Sequence, residues 1–461
     1  LIAVLFKGRI GGRLLLALAK PINKQMTGCV SSFRMTVLKY KMKKIIFTLV
    51  GFCFLFSSCS KSNNSPNKVM TKKPDTTLTP PDTTIQTPQL VVKTNSIKIY
   101  AHYLPWFETP ATSPDGKWGQ HWTMANENPD IVDANGKRQI ASYFYPMTGP
   151  YASSDRDILD YQLLLMKYSG IDGVIVDWNG THNVYDYPLI KRNTDSLFKR
   201  VTYAGLQFSI CYEDAQLANV KSIGGIDTIT AAQQDFNYLQ TAYFGGSSYV
   251  KINNQPLLLN FGPQTMMQPN QWQRALSVLS PKPCLLPLEY ADGTTGSSAS
   301  GEFAWVDASN LTGLRNFYNR ASGLSTWFAG AYPGFKDFYK PGGWGNTLFL
   351  IDYNNAGTLQ STLNLATTSG AKYLQLITWN DYGEGTMIEP TQEYNFDFLV
   401  AIQKYAGVKY TVTELQLIYK WYTLRTKNKG NSTVEAQLTQ AYYDLVALKV
   451  SAATTIINRI N

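Results

Sequence analysis

Trp379, Asn380, Asp381, Glu384 and Glu389 gather an indole, an amide and three carboxylates into one stretch, Thr378-Trp-Asn-Asp-Tyr-Gly-Glu-Gly-Thr-Met-Ile-Glu-Pro390. Asp381 and Glu384 stand three positions apart, so one short turn brings both carboxyls to one side. Two carboxyls facing one cleft are the groups needed for acid/base work on a neutral polar substrate such as a sugar. The short apolar run before them, 373–378, has the length and composition of a buried strand, which gives the acids a rigid edge to stand on.

That run is the last of eight, at 97–103, 173–177, 207–212, 256–260, 284–289, 303–306, 348–351 and 373–378. Between them lie helical patterns at 155–169, 189–204, 228–243, 269–279 and 356–368, with another at 396–405 after the last run. Near-continuous apolar strands alternating with helices specify a parallel sheet covered on both faces. At this length the expectation is a (β/α)8 TIM barrel over 97–410, followed by a C-terminal helical hairpin over 411–461. An open doubly wound sheet is the alternative, but neither GxGxxG nor GxxxxGK[ST] marks a nucleotide site. The Gly/Pro-rich, aromatic stretch 314–344 reads as a decorated loop near the site.

In a barrel the C-terminal strand ends share one face. The first run leads into Tyr103, Trp106 and a long loop with His121 and Trp122; the second ends in Asp177, Trp178 and Asn179. The third ends in Glu213 and Asp214, the fourth at Asn260, the fifth in Tyr290, the seventh at Asp352, and the eighth in Trp379 and Asn380. Strands must end in something polar, yet seven of eight delivering a carboxylate, amide or aromatic to one face is the pattern of a carbohydrate cleft. Tyr and Trp stack on sugar faces, although a large core also uses such rings, and residue type alone does not separate the two.

Other chemistries find less support. The chain of 461 residues carries a formal charge of +10, but residues 1–58 hold ten Lys or Arg and no acid. Removing those ten from the 42 basic residues leaves 32 against 32 acidic ones, so the folding part is formally neutral and nucleic acid is not an expected partner. All three histidines, His102, His121 and His182, fall in the first half and no HExxH occurs, so a His-rich catalytic metal is not expected, nor is a cofactor, while an oxygen-ligand ion such as calcium stays open. No GxSxG elbow is present. Cys211 and Cys284, each in an apolar run, read as buried free thiols.

The N-terminal part reads as an address. Met42-Lys-Lys is followed by an apolar core, 45–56, and Phe56-Ser-Ser-Cys59, which has the anatomy of a signal peptide (42–58). The Phe-Ser-Ser-Cys box resembles a bacterial lipoprotein cleavage site, with Cys59 lipidated. Residues 1–41 then lie upstream of the natural start, and 59–96, rich in Ser, Thr and Pro, form a flexible tether. The expected location is exported and membrane-anchored, periplasm-facing or at the cell surface, with the membrane touched through the lipid only.

The eighth-run motif resembles that of glycoside hydrolase families 71 and 99, which contain α-1,3-glucanases and endo-α-mannosidases. Tyr100-Ala-His-Tyr-Leu-Pro-Trp106, Gly170-Ile-Asp-Gly-Val-Ile-Val-Asp-Trp178 and Phe208-Ser-Ile-Cys-Tyr-Glu-Asp214 sit where those families place their first three strands. The resemblance spans 97–405 and implies a barrel hydrolase acting on an α-linked glucan or mannan. It places the family 99 catalytic pair on Asp381 and Glu384, with Asp where family 99 has Glu, and implies a sugar-contacting role for Glu213. A glycan-capturing surface lipoprotein on the same barrel, without turnover, is the alternative from another class. A nucleotide-sugar transferase is a weaker third.

Overall fold

A computed structural model of the chain describes residues 83–460. Eight strands form one parallel ring: β1 (Lys98–Tyr103), β2 (Gly173–Trp178), β3 (Gln207–Tyr212), β4 (Gln255–Asn260), β5 (Cys284–Pro287), β6 (Gly301–Phe303), β7 (Thr326–Ala331) and β8 (Tyr373–Leu376). β1 lies between β2 and β8, with Tyr100 opposite both Gly173 and Gln375. The series β2–β3–β4–β5 continues one way and β8–β7–β6 the other. Parallel bridges Leu285–Ala299 and Leu288–Phe303 join β5 to β6 and close the ring. Closure leaves the barrel strands without free edges and turns all their C-terminal ends to one face.

The strands are apolar because both faces are covered. β2 is buried at every position, and Val174 and Val176 pack outward into the same cluster as Leu159, Leu163 and Leu197 of the surrounding helices. Ile175, Cys211, Leu259, Leu286, Phe303 and Phe328 instead fill a second, separate cluster with Tyr100. That alternation follows from the two-residue period of a strand. Outside, Arg156–Tyr168 starts where Asp155 accepts from the backbone N–H groups of Asp157 and Ile158, and Tyr187–Ala204 ends at Gly205 in the left-handed conformation. Cys211 and Cys284 are buried and free, as their apolar settings imply.

The seventh strand differs from expectation. It is Thr326–Ala331, inside the stretch read as a loop, whereas Leu350–Ile351 pairs antiparallel with Phe335–Lys336 in a separate two-stranded ribbon. Ala329, Gly330 and Ala331 give β7 little apolar signal because the barrel is tight there: a Cβ on Gly330 would lie 3.0 Å from Ile377 Cδ1 and 3.2 Å from Ala304 Cβ. The helix Leu311–Ala321 also runs into this stretch.

The C-terminal part is three helices rather than a hairpin: Val412–Lys427, Ser432–Val446 and Val450–Arg459. The second break comes at Leu448, whose φ of +60° no helix accommodates. Nor do all of residues 59–96 stand off as a tether. The backbone N–H of Gln89 donates to Val446 O, and those of Thr94 and Asn95 donate to Gly407 O and Ala406 O. The expected signal peptide and Cys59 lie outside the described residues. Among the described residues no helix is long and apolar enough to cross a membrane.

Candidate active site

After β8 the chain folds back on itself. Thr378 N–H donates to Thr386 O at 2.9 Å and Ile388 N–H to Thr378 O at 3.0 Å, so residues 378–388 form a closed loop at the C-terminal mouth of the barrel. Thr378 Oγ1 accepts from Asp381 N–H at 2.8 Å, and Asp381 Oδ1 accepts from Glu384 N–H at 2.9 Å. Asn380 ties the loop to the end of β1: its Oδ1 accepts from Leu104 N–H (2.9 Å) and its Nδ2 donates to Leu104 O (3.0 Å). Gly385 has φ +70°, and a Cβ there would meet Tyr353 Oη at 2.6 Å.

Asp381 and Glu384 are each only 7% exposed. Burial pushes Asp381 up to about 6, offset in part by the Glu384 N–H bond and by His121. Burial, then the neighbouring Asp381 carboxylate, drives Glu384 well above the usual carboxylate range. Burial and the Asp381 charge thus favour the proton on Glu384 over Asp381, the division of labour that acid/base chemistry needs.

Two further acids complete the cluster. Glu213, after β3, is held far above its ordinary value by burial and by the Asp177 carboxylate beside it. Asp177, on β2, lies 3.6 Å from His102 Nε2 through Oδ2, while its buried Oδ1 has no hydrogen-bond partner among the described residues. His102 Nε2 and Asn260 Oδ1 are likewise buried without partners there, so β1, β2 and β4 aim unsatisfied polar atoms into the barrel mouth. No group of three or more His, Cys, Asp or Glu fit to hold a metal occurs among the described residues.

The aromatic residues divide. Trp106, half-buried, stacks on His121 with ring centroids 4.1 Å apart and planes 3° from parallel, and His121 Nε2 is 3.1 Å from Asp186 Oδ2. Trp344 meets His121 edge-on, and Tyr290 is 42% exposed. Trp122, Trp178 and Trp379, expected as stacking surfaces, are fully buried and offer no face to a ligand. Trp122 donates through Nε1 to Tyr151 O and packs on Phe107, and Trp178 lies along Tyr238.

Other expected sugar ligands are also spoken for. Tyr103 is buried and donates to Gln162 Oε1, and Asn380 is consumed by Leu104 and Tyr151. Asp214, fully buried, accepts from the backbone N–H groups of Gln264, Thr265 and Met266 and so anchors the loop after β4. Asn179 and Glu213 keep partial exposure at the mouth, and Asp177 is 5% exposed. Glu389 accepts from Tyr151 Oη, Tyr382 Oη and Gln162 Nε2, a set of three bonds that makes it a structural acid.

Tyr339 and Asp337 reach the site unforeseen. They follow the unrecognised β7, and Tyr339 Oη donates to Glu384 Oε1 at 2.9 Å. The stretch 314–344 was expected near the site, and residues 335–339 do lie against the loop 378–388, but without the placement of β7 neither Tyr339 nor Asp337 stood out within it. Trp305, after β6, meets His102 edge-on at 4.8 Å and was missed with the exact end of its strand.

No protein-family model matches the chain, and no curated protein does. Among solved structures, the family 99 endo-α-mannosidase from Bacteroides thetaiotaomicron superposes with a TM-score of 0.53 at 16% identity, covering 70% of this chain and 98% of that one. A glycoside hydrolase-like protein matches with a TM-score of 0.50 at 13% identity, over 70% of this chain and 97% of the other. The likeness is one of fold: the chain shares the barrel of these solved structures, the fold that the strand motifs implied.

Proposed function

We propose that the chain is a glycoside hydrolase that cleaves an α-linked glucan or mannan with Glu384 as general acid and Asp381 as its partner base. The carrying observation is the paired acids: one loop at the mouth of the barrel holds Asp381 and Glu384, each 7% exposed and tied together by the Glu384 N–H bond to Asp381 Oδ1, with burial raising both and the Asp381 charge raising Glu384 further. Glu384 gives its proton to the departing glycosidic oxygen. Asp381 takes the proton of the attacking hydroxyl as it adds to the anomeric carbon.

The Trp106–His121 stack supplies the flat apolar face that a pyranose ring covers, and Asp177, Asn179 and Glu213 supply hydroxyl ligands on the neighbouring strand ends. The neutral charge of the folding part suits an uncharged polysaccharide. Export and lipid anchoring at Cys59 belong to the same proposal and rest on the N-terminal sequence. Purified protein should release reducing ends from α-glucan or α-mannan, and Glu384→Gln and Asp381→Asn should abolish release. Tight glycan binding with no release by the unaltered protein would instead make it the capture lipoprotein.

A further inference from the structure

The excursion between β7 and β8 comes back to the catalytic loop as a second backbone. Lys336 N–H donates to Glu384 O at 2.9 Å and Phe338 N–H to Gly383 O at 2.8 Å, so the two loops run together. Asp337, 1% exposed, accepts from Tyr339 N–H at 3.2 Å and from Leu348 N–H at 2.9 Å, which fixes the turn carrying Tyr339. The loop after β1 clasps the far side: Ala125 N–H donates to Gly342 O (2.8 Å) and Asn126 Nδ2 to Pro341 O (2.7 Å). Tyr339 is thereby held on three sides, with its hydroxyl 2.9 Å from Glu384 Oε1.

A phenol has one proton to give. Burial above all, with the Asp381 carboxylate nearby, keeps the Tyr339 proton in place far above the working pH range. The better acceptor of a protonated carboxyl is its carbonyl oxygen, so the oxygen that takes the Tyr339 bond is the one without the acid's own proton. Oε1 is that oxygen, and among the described residues Oε2 has no protein partner.

We infer that Tyr339 is a positioning residue that fixes the transferable proton of Glu384 on Oε2, aimed at the departing glycosidic oxygen. The inference rests on Glu384 being the general acid. In the step it serves, the bond from anomeric carbon to oxygen breaks, its electron pair stays on oxygen, and the Oε2 proton moves to that oxygen. The attacking hydroxyl supplies the electron pair that the carbon loses. The charged groups around Glu384 are Asp381 on its own loop, Asp337 from the excursion, Asp177 from β2 and Glu213 from the end of β3. None of these donates a proton to Oε1 in the structure, so the orientation depends on Tyr339.

The test compares the intact protein with Tyr339→Phe on two α-glycosides of the same sugar, one with a sugar leaving group and one with dinitrophenolate, which departs without a proton. Acid catalysis is worth about 10²–10⁴-fold, so misplacing the proton should lower kcat roughly tenfold or more on the first substrate. KM should stay within about twofold, and dinitrophenyl glycoside turnover should be nearly unchanged. In a Glu384→Gln background Tyr339→Phe should cost nothing further. An equal fall on both substrates, or no fall on either, overturns the inference. If Tyr339→Phe misfolds, infrared spectroscopy of the unaltered protein decides. The carbonyl stretch that disappears in Glu384→Gln should show an accepted hydrogen bond, and the frequency of a free carbonyl overturns the inference. If the unaltered protein cleaves neither glycoside, the hydrolase reading itself falls, and this inference with it.

Discussion

The backbone N–H of Glu384 donates to Oδ1 of Asp381 at 2.9 Å, so the two acids are fixed relative to each other by the loop that bears them. Asn at 381 can accept the same bond, which makes Asp381→Asn a clean removal of charge. Its effect on hydrolysis should be a loss of about 10²-fold or more, the usual worth of a positioned base. Stability should move the other way. Asp381 is raised from 3.8 to about 6, so the native state holds its proton more tightly than the unfolded chain does. That contribution is present in full below the unfolded value and is lost as pH rises through about 6. At pH 8 the ionised side chain then costs roughly 2–3 kcal/mol, and Asp381→Asn should melt a few degrees higher than the unaltered protein. Calorimetry at pH 8 checks this; a lower Tm would show that the carboxylate stabilises the loop.

The pair also predicts the pH dependence of kcat/KM. In the proposed reaction Asp381 has to be ionised, so activity should rise on an acid limb near pH 6. Glu384 has to keep its proton, and because burial and Asp381 hold it well above the usual range, the alkaline limb should lie clearly higher. A rate that stays flat down to pH 4 would remove Asp381 from the mechanism. With a leaving group that needs no proton, the alkaline limb should vanish while the acid limb remains.

Glu213 and Asp214 are neighbours in sequence with different surroundings, Glu213 partly exposed and Asp214 buried against the loop after β4, and substitution should separate their roles. Asp214→Ala deprives three backbone N–H groups of their acceptor and should cost about 3 kcal/mol of stability, with KM and kcat close to unaltered at 25 °C. Glu213→Gln should leave the melting temperature within a few degrees and raise KM or lower kcat by tenfold or so. Denaturant unfolding and steady-state kinetics on the two variants read both halves. Equal kinetic damage from Asp214→Ala would return that residue to the cleft.

What the sequence made legible follows from where chemistry and packing leave different marks. The loop after β8 was legible because two acids, an amide and an indole cluster after an apolar run, and that pattern serves a cleft better than a core. β7 was not, because close packing around Gly330 demands small residues and erases the apolar run that marks its neighbours. Tyr339 and Asp337 were lost with it. Trp122, Trp178 and Trp379 show the other limit: an indole that fills a core and one that stacks on a sugar are the same letter, and only burial separates them. Asp214 failed for a geometric reason, since consecutive residues leaving a strand point to opposite sides, and Glu213 already took the side facing the mouth.

Glu389 offers the sharpest test of a structural rather than catalytic acid. Burial raises it from 4.5 to about 7 even though Gln162, Tyr151 and Tyr382 all donate to it. The native state thus binds the Glu389 proton more tightly than the unfolded state. The stability this brings is complete below pH 4.5 and is lost as pH climbs through about 7. Glu389→Gln has no such proton, so its unfolding free energy relative to the unaltered protein should improve by roughly 3 kcal/mol between pH 4 and pH 8. Urea unfolding of both proteins at the two pH values isolates this one titration, because every other group is common to both. Kinetics on the same variant should show losses shared between the two leaving groups, since a distorted loop displaces Asp381 and Glu384 together. A loss confined to the poor leaving group would instead make Glu389 part of the proton transfer.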